Sequence, residues 1–151
     1  NADKTTSNPD FTANGQTGVW RTLSNDEWEY LFKTRSNAAN LCKYAVTVNE
    51  LANCVVIAPD DYDFNATPLA GSYTLDELDE AGLVCLPSTG TRNENDTTFS
   101  GRKTKGCYCT STTGPEFGDS YSFVYFNDKY ITWQEQVRKF GCTIRLVKNI
   151  E

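Results

Sequence analysis

Gly106–Val147, GCYCTSTTGPEFGDSYSFVYFNDKYITWQEQVRKFGCTIRLV, holds the clearest strands of the chain, half of its six cysteines and most of the residues suited to recognition. From Tyr121 to Phe126 the side chains alternate with the period of two that a pleated strand requires. Tyr121, Phe123 and Tyr125 share one face, and Ser122, Val124 and Phe126 share the other. Val124 and Phe126 make the better core side, while the tyrosines carry a polar tip on a large apolar ring, which suits a wet contact surface. A turn at Asn127–Asp128 leads into a returning strand, Tyr130–Trp133, and Cys142–Val147 reads as the last one. Short strands joined in this way predict an antiparallel sheet.

Upstream the chain reads as scaffold. Residues 1–18 are polar and rich in Asn, Thr and Gly, an extended N-terminal arm ahead of a domain at 19–151. Gly18–Arg21 is a short strand. Ser24 and Glu27 form an S-x-x-E capping box, after which Trp28, Leu31 and Phe32 fall on one helical face, with Trp28 in the core and the helix running to about Thr34. Cys42–Val48 and Cys54–Ile57 are two strands joined by a turn near Asn49–Asn53. Pro59 to Ser72 is a loop. Thr74 and Glu77 form a second capping box, with Leu75 and Leu78 as the buried stripe and Gly82 as the left-handed residue past the helix end. Leu83–Leu86 is a buried strand, followed by a long polar loop from Pro87 to Lys105.

A length of 151 residues with 38% hydrophobic content fits one domain with a real core. Mean hydropathy is −0.53, and no apolar run approaches the ~20 residues that span a bilayer. A net charge of −6 argues against nucleic acid as a partner, since that binding rests on cationic contacts to phosphate, and against an anionic membrane surface or direct membrane insertion. The absence of histidine removes the commonest catalytic base. Six cysteines without a metal-type spacing favour disulfides and an oxidising compartment. The chain has no methionine, which implies a processed or cut product whose signal peptide has gone.

Several blocks together match a known pattern. Gly-Cys-Tyr-Cys-Thr-Ser-Thr at 106–112, Tyr-Phe-Asn at 125–127 and Gly-Cys-Thr-Ile-Arg-Leu-Val at 141–147 resemble, in order and spacing, the end of the Fibrobacter succinogenes major paralogous domain of secreted Bacteroidetes proteins. The segments at 18–32, Ala58–Asp61 and Leu86–Gly90 follow the same family order, so the resemblance covers residues 15–148. It implies an α+β, C-type-lectin-like fold related to the formylglycine-generating enzymes, disulfide-stabilised, with two short helices on a twisted, mainly antiparallel sheet and long loops at one end. It does not imply their chemistry. It also implies further strands ahead of residue 1, so that either the fold closes without them or an arm from a neighbouring copy supplies the edge by strand addition.

Leu86-Pro-Ser-Thr-Gly90 matches a sortase signal but lies inside the domain, and is read as a strand leaving into a turn. Asp61, Asp63 and Asn65 have the first ligand spacings of a calcium loop, yet Ala66 and Ser72 stand where an EF-hand needs Gly and Glu. A looser calcium site there is the only metal candidate, against solvated loop acids as the plainer reading, and no cofactor is called for. Asn65 and Asn95 head glycosylation sequons, and Thr97 lies in a short acceptor that Bacteroidetes use for O-glycosylation. Cys107 and Cys109 invite comparison with the thiol pair of formylglycine-generating enzymes, but separate disulfide partners are favoured. Six cysteines allow 15 connectivities. The expected scheme is Cys42–Cys54 across the early hairpin, with Cys85, Cys107, Cys109 and Cys142 making sheet-to-sheet bridges, or an intermolecular bond. Arg145 is read as structural, paired with an interior acid.

The expected function is that of a secreted or cell-surface, non-enzymatic binding or adhesion module. Its partner is a glycan or protein, met by Tyr121, Phe123, Tyr125, Asn127, Tyr130, Trp133, Gln134 and Gln136. Inward packing of Phe123 and Trp133 is the opposing reading. The alternative is a structural subunit of an extracellular fibre or surface assembly, whose arm contacts copies of itself.

Overall fold

The structure is a computed structural model; it describes residues 12–13, 16–17, 20–69, 71–93, 95, 97–113, 120–137 and 139–148. It is an α+β arrangement of two short helices on mostly antiparallel sheets. In the stretch expected as an extended arm, β1 (Thr12–Ala13) and β2 (Gln16–Thr17) pair as a small hairpin. The rest of 1–18 lies outside the described residues.

After β3 (Trp20–Thr22), α1 (Asn25–Glu29) opens on the expected capping box: the Ser24 hydroxyl accepts from Glu27 N and the Glu27 carboxylate accepts from Ser24 N. It widens into a π turn at Tyr30–Thr34, where Arg35 N donates to Tyr30 O. β4 (Cys42–Val48) and β5 (Leu51–Ile57) form a hairpin whose two turn residues, Asn49 and Glu50, have φ of 46° and 63°. That is the left-handed pair a tight two-residue hairpin requires, so β5 begins earlier than the sequence suggests. β6 (Ser72–Tyr73) lies parallel to β4, and β7 (Val84–Leu86) antiparallel to β5.

α2 (Leu75–Glu80) carries the second capping box and ends as foreseen. Gly82 has φ 70°, its N–H reaches Asp79 O, and Leu83 N–H reaches Leu78 O at 2.8 Å, which closes a Schellman motif with Leu78 and Leu83 both buried. Leu75 departs from the expected stripe and is 48% exposed, because so short a helix turns one residue alone, Leu78, fully inward. The last three strands, β8 (Lys105–Thr113), β9 (Ser120–Asn127) and β10 (Ile131–Val137), form a meander in the order β10-β9-β8. The final strand, β11 (Leu146–Lys148), pairs with β3 and is shorter than the expected Cys142–Val147. Gly141 instead bridges Arg92, and Thr143 bridges Tyr108, so this part of the chain is drawn across the meander.

The hairpin sheet is buried on both faces, which is why Cys54 to Ala58 reads as an unbroken apolar run rather than an alternation. One face packs Leu41, Val46, Val48, Cys54 and Val56 against Leu78, Leu83, Cys85 and Phe64. The other packs Cys42, Val55, Ile57 and Leu86 against Trp28, Phe32, Tyr108, Val124 and Phe126. Trp28 is core, as read. Its ring centroid lies 6.0 Å from those of Phe32 and Tyr108. Gly106 is obligatory here: a Cβ would fall 2.1 Å from the Phe126 ring.

The interior cation is Arg35, not Arg145. Arg35 is 6% exposed, and its guanidinium donates to Leu31 O, Ala58 O and Leu41 O and to the Asp60 carboxylate. Arg145 is exposed. Its place between Ile144 and Leu146 suggested an interior position, but Ile144 is itself 60% exposed.

Candidate binding face on the C-terminal sheet

Cross-strand register sorts the meander into two faces. Tyr108, Val124 and Trp133 stand in one row, with Gly106, Phe126 and Ile131 in the next, on the side that packs on α1 and the core. Cys107, Tyr125 and Thr132 form a row on the opposite side, flanked by Cys109, Phe123 and Gln134. Val124 and Phe126 thus make the core side, as read.

The outer face is roofed over half its extent by the chain around 140–143. Cys142 is bonded to Cys107, the sole disulfide among the described residues. Thr143 donates to Cys107 O and accepts from Cys109 N, both at 2.8 Å. Phe140 lays its ring 5.7 Å from that of Phe123, and Tyr121 donates its hydroxyl to Phe140 O. Phe123 is consequently 1% exposed, and Tyr121 is half-buried with burial as the main cause of its raised pKa. These two residues of the expected contact set support the face rather than form it. Trp133 also leaves the set: it points to the core side, under Lys33, whose Nζ lies 4.0 Å from the ring centroid.

The unroofed half keeps Tyr125, Asn127, Tyr130, Gln134 and Gln136. The rings of Tyr125 and Tyr130 are 6.3 Å apart, and Lys105 Nζ lies 5.9 Å from the Tyr125 centroid. Tyr130 is 51% exposed, and Gln134 and Gln136 are exposed. Asn127 is partly a turn residue, because its Oδ1 accepts from Lys129 N and Tyr130 N. This holds Tyr130 beside Tyr125. Partial burial, then the neighbouring Tyr130, raise the Tyr125 pKa against a smaller opposing effect from Asn127, so its hydroxyl is protonated near neutrality and both donates and accepts. Lys105 was missed at the sequence level, since its place beside Tyr125 depends on the β8–β9 register.

The other cysteines correct the expected scheme. Cys42 lies opposite Ile57 and Cys54 opposite Val46, so the two belong to different faces of the hairpin and do not bond. Cys42, Cys54, Cys85 and Cys109 are thiols. Asp61, Asp63 and Asn65 are exposed, and Asp63 Oδ1 is occupied by the Asn65 N–H at 2.8 Å. Among the described residues no group of three His, Cys, Asp or Glu side chains is disposed to hold a metal. Asn65, Asn95 and Thr97 are exposed. No described helix is long and apolar enough to cross a membrane. No family model, curated protein or solved structure matches the chain. Fold and face together define a small, disulfide-clasped α+β domain with an aromatic and amide patch on one sheet.

Proposed function

We propose that this domain is a secreted or cell-surface, non-enzymatic binding module of C-type-lectin-like fold. It engages a glycan or a protein through Tyr125, Tyr130, Gln134 and Gln136, with Lys105 at the margin. The observation that carries the reading is the Tyr125–Tyr130 pair, 6.3 Å apart, on the same face as buried Phe123 and with Tyr125 opposite Cys107 of the Cys107–Cys142 clasp. Two rigid rings offer apolar area at small entropic cost, and the flanking amides supply adaptable hydrogen bonds. The two helices on antiparallel strands, and the resemblance of residues 15–148 to the Fibrobacter succinogenes major paralogous domain, support the fold assignment.

The test is a glycan and protein ligand screen with wild type, Tyr125→Ala and Tyr130→Ala side by side. Each substitution is expected to weaken binding at least ~10-fold, or about 1.4 kcal/mol. Unchanged binding in both would remove the site. The open edge of β10, which pairs with β9 alone among the described strands, favours a second reading as a subunit of an extracellular assembly. Sedimentation of the native protein separates them: small species support the binder, long polymers the subunit.

A further inference from the structure

On β5 and β7, Val56 lies opposite Cys85, so Cys54, two residues from Val56, points to the same face as Cys85 on the neighbouring strand. Both thiols sit in the same buried core cluster, and Cys54 donates to Leu51 O at 3.2 Å. Both line a cavity of about 370 Å³, within the range of small-molecule sites. Its walls include Leu51, Leu75 and Pro87, and its charged lining is Arg102 and Lys103 against Glu50. Lys103 is held there by its backbone: its carbonyl accepts from Asn53 Nδ2 at 2.8 Å and its N–H reaches Ser88 O at 2.9 Å.

We propose that Cys54 and Cys85 are a reversible dithiol–disulfide couple that reacts with a small anionic disulfide admitted through this cavity, Cys54 attacking and Cys85 resolving. Cys54 as thiolate attacks one sulfur of R–S–S–R, the external S–S bond breaks, and R–S⁻ leaves and takes up a proton. The mixed disulfide on Cys54 is then attacked by Cys85, whose proton passes to the second R–S⁻ as it departs. The protein dithiol loses two electrons, and the external disulfide becomes two thiols. Both sulfurs are buried, Cys54 at 0% and Cys85 at 6% exposed, so the disulfide meets them only from the cavity they line. There the neighbouring Cys85 thiol lowers the Cys54 pKa against the effect of burial, while Cys85 is raised, which makes Cys54 the attacking sulfur. Cys42 and Cys109 are both raised by burial.

The full chain, as purified, is incubated near neutral pH with oxidised glutathione or with the uncharged hydroxyethyl disulfide, quenched, and mapped by non-reducing digestion and mass spectrometry. The expected product is a Cys54–Cys85 crosslink that reductant reverses. Cys85→Ser should stop at a mixed disulfide on Cys54. Arg102→Glu with Lys103→Glu, which alters only exposed side chains, should slow reaction with the anionic disulfide about 10-fold and leave the uncharged one unchanged. This variant decides the matter if Cys85→Ser does not fold. Modification of Cys109 while Cys54 and Cys85 remain thiols would overturn the couple. A mixed disulfide on Cys85 would overturn the roles, and equal slowing of both reagents the anionic class.

Discussion

Replacing Arg35 by Met tests the cation at the junction of α1, the hairpin and the loop after it. Arg35 is 6% exposed, and its guanidinium gives 2.8 Å bonds to Leu31 O and Ala58 O and a 3.3 Å bond to Leu41 O. Leu41 O also accepts from Ala58 N at 2.9 Å, so the greater loss falls on Leu31 O and Ala58 O. A buried acceptor deprived of its donor costs about 1–3 kcal/mol, which gives about 2–6 kcal/mol for the pair. The Asp60 arm adds little, because Asp60 is 68% exposed and solvent screens the ion pair. Against a total stability of about 5–15 kcal/mol this is a large fraction. The assay is urea unfolding followed by tryptophan fluorescence, reading the midpoint at constant m. Asp60→Asn should shift stability by under about 1 kcal/mol. Arg35→Lys should fall between, since one ammonium does not span three carbonyls. A loss below about 1 kcal/mol for Arg35→Met, with m unchanged, would refute the reasoning.

Gly106→Ala forces a methyl to within 2.1 Å of the fully buried Phe126 ring, and overpacking of this kind costs about 1–3 kcal/mol or more; a melting temperature equal to wild type would contradict the packing described. Removing the Cys107–Cys142 bond with paired serines opens a loop of sequence separation 35, for which chain entropy predicts a loss of about 4 kcal/mol. Denaturant titration reads that loss, and a protein of unchanged midpoint would show that the clasp contributes nothing. For pH, the Arg21 hydrogen bond, outweighing burial, holds the Glu27 pKa below its ordinary value. A depressed folded pKa adds stability above the unfolded value of about 4.3, and that stability is lost as pH falls through the folded one. Urea midpoints at pH 7 and pH 3 should therefore differ more for wild type than for Glu27→Gln; equal differences would sink the assignment.

Local chemistry is what the sequence by itself determined. Both capping boxes, the Gly82 helix stop, the Trp28 core position and the alternation of β9 were legible because each depends on residues within one or two turns or along one strand. The tertiary structure decided what depends on register and on which segment covers which face. Tyr121 and Phe123 have the same strand periodicity as Tyr125, yet Phe140, 19 residues beyond Tyr121, roofs the first two and leaves the third open. Cysteine pairing followed the same rule. Cys42 and Cys54 are near neighbours in a hairpin, but the side on which a cysteine emerges is fixed by the hairpin turn and bulges, and these put them on opposite faces. Burial of Arg35 was likewise invisible to sequence reading, since the carbonyls that accept from it come from three separate segments that meet only in the folded chain.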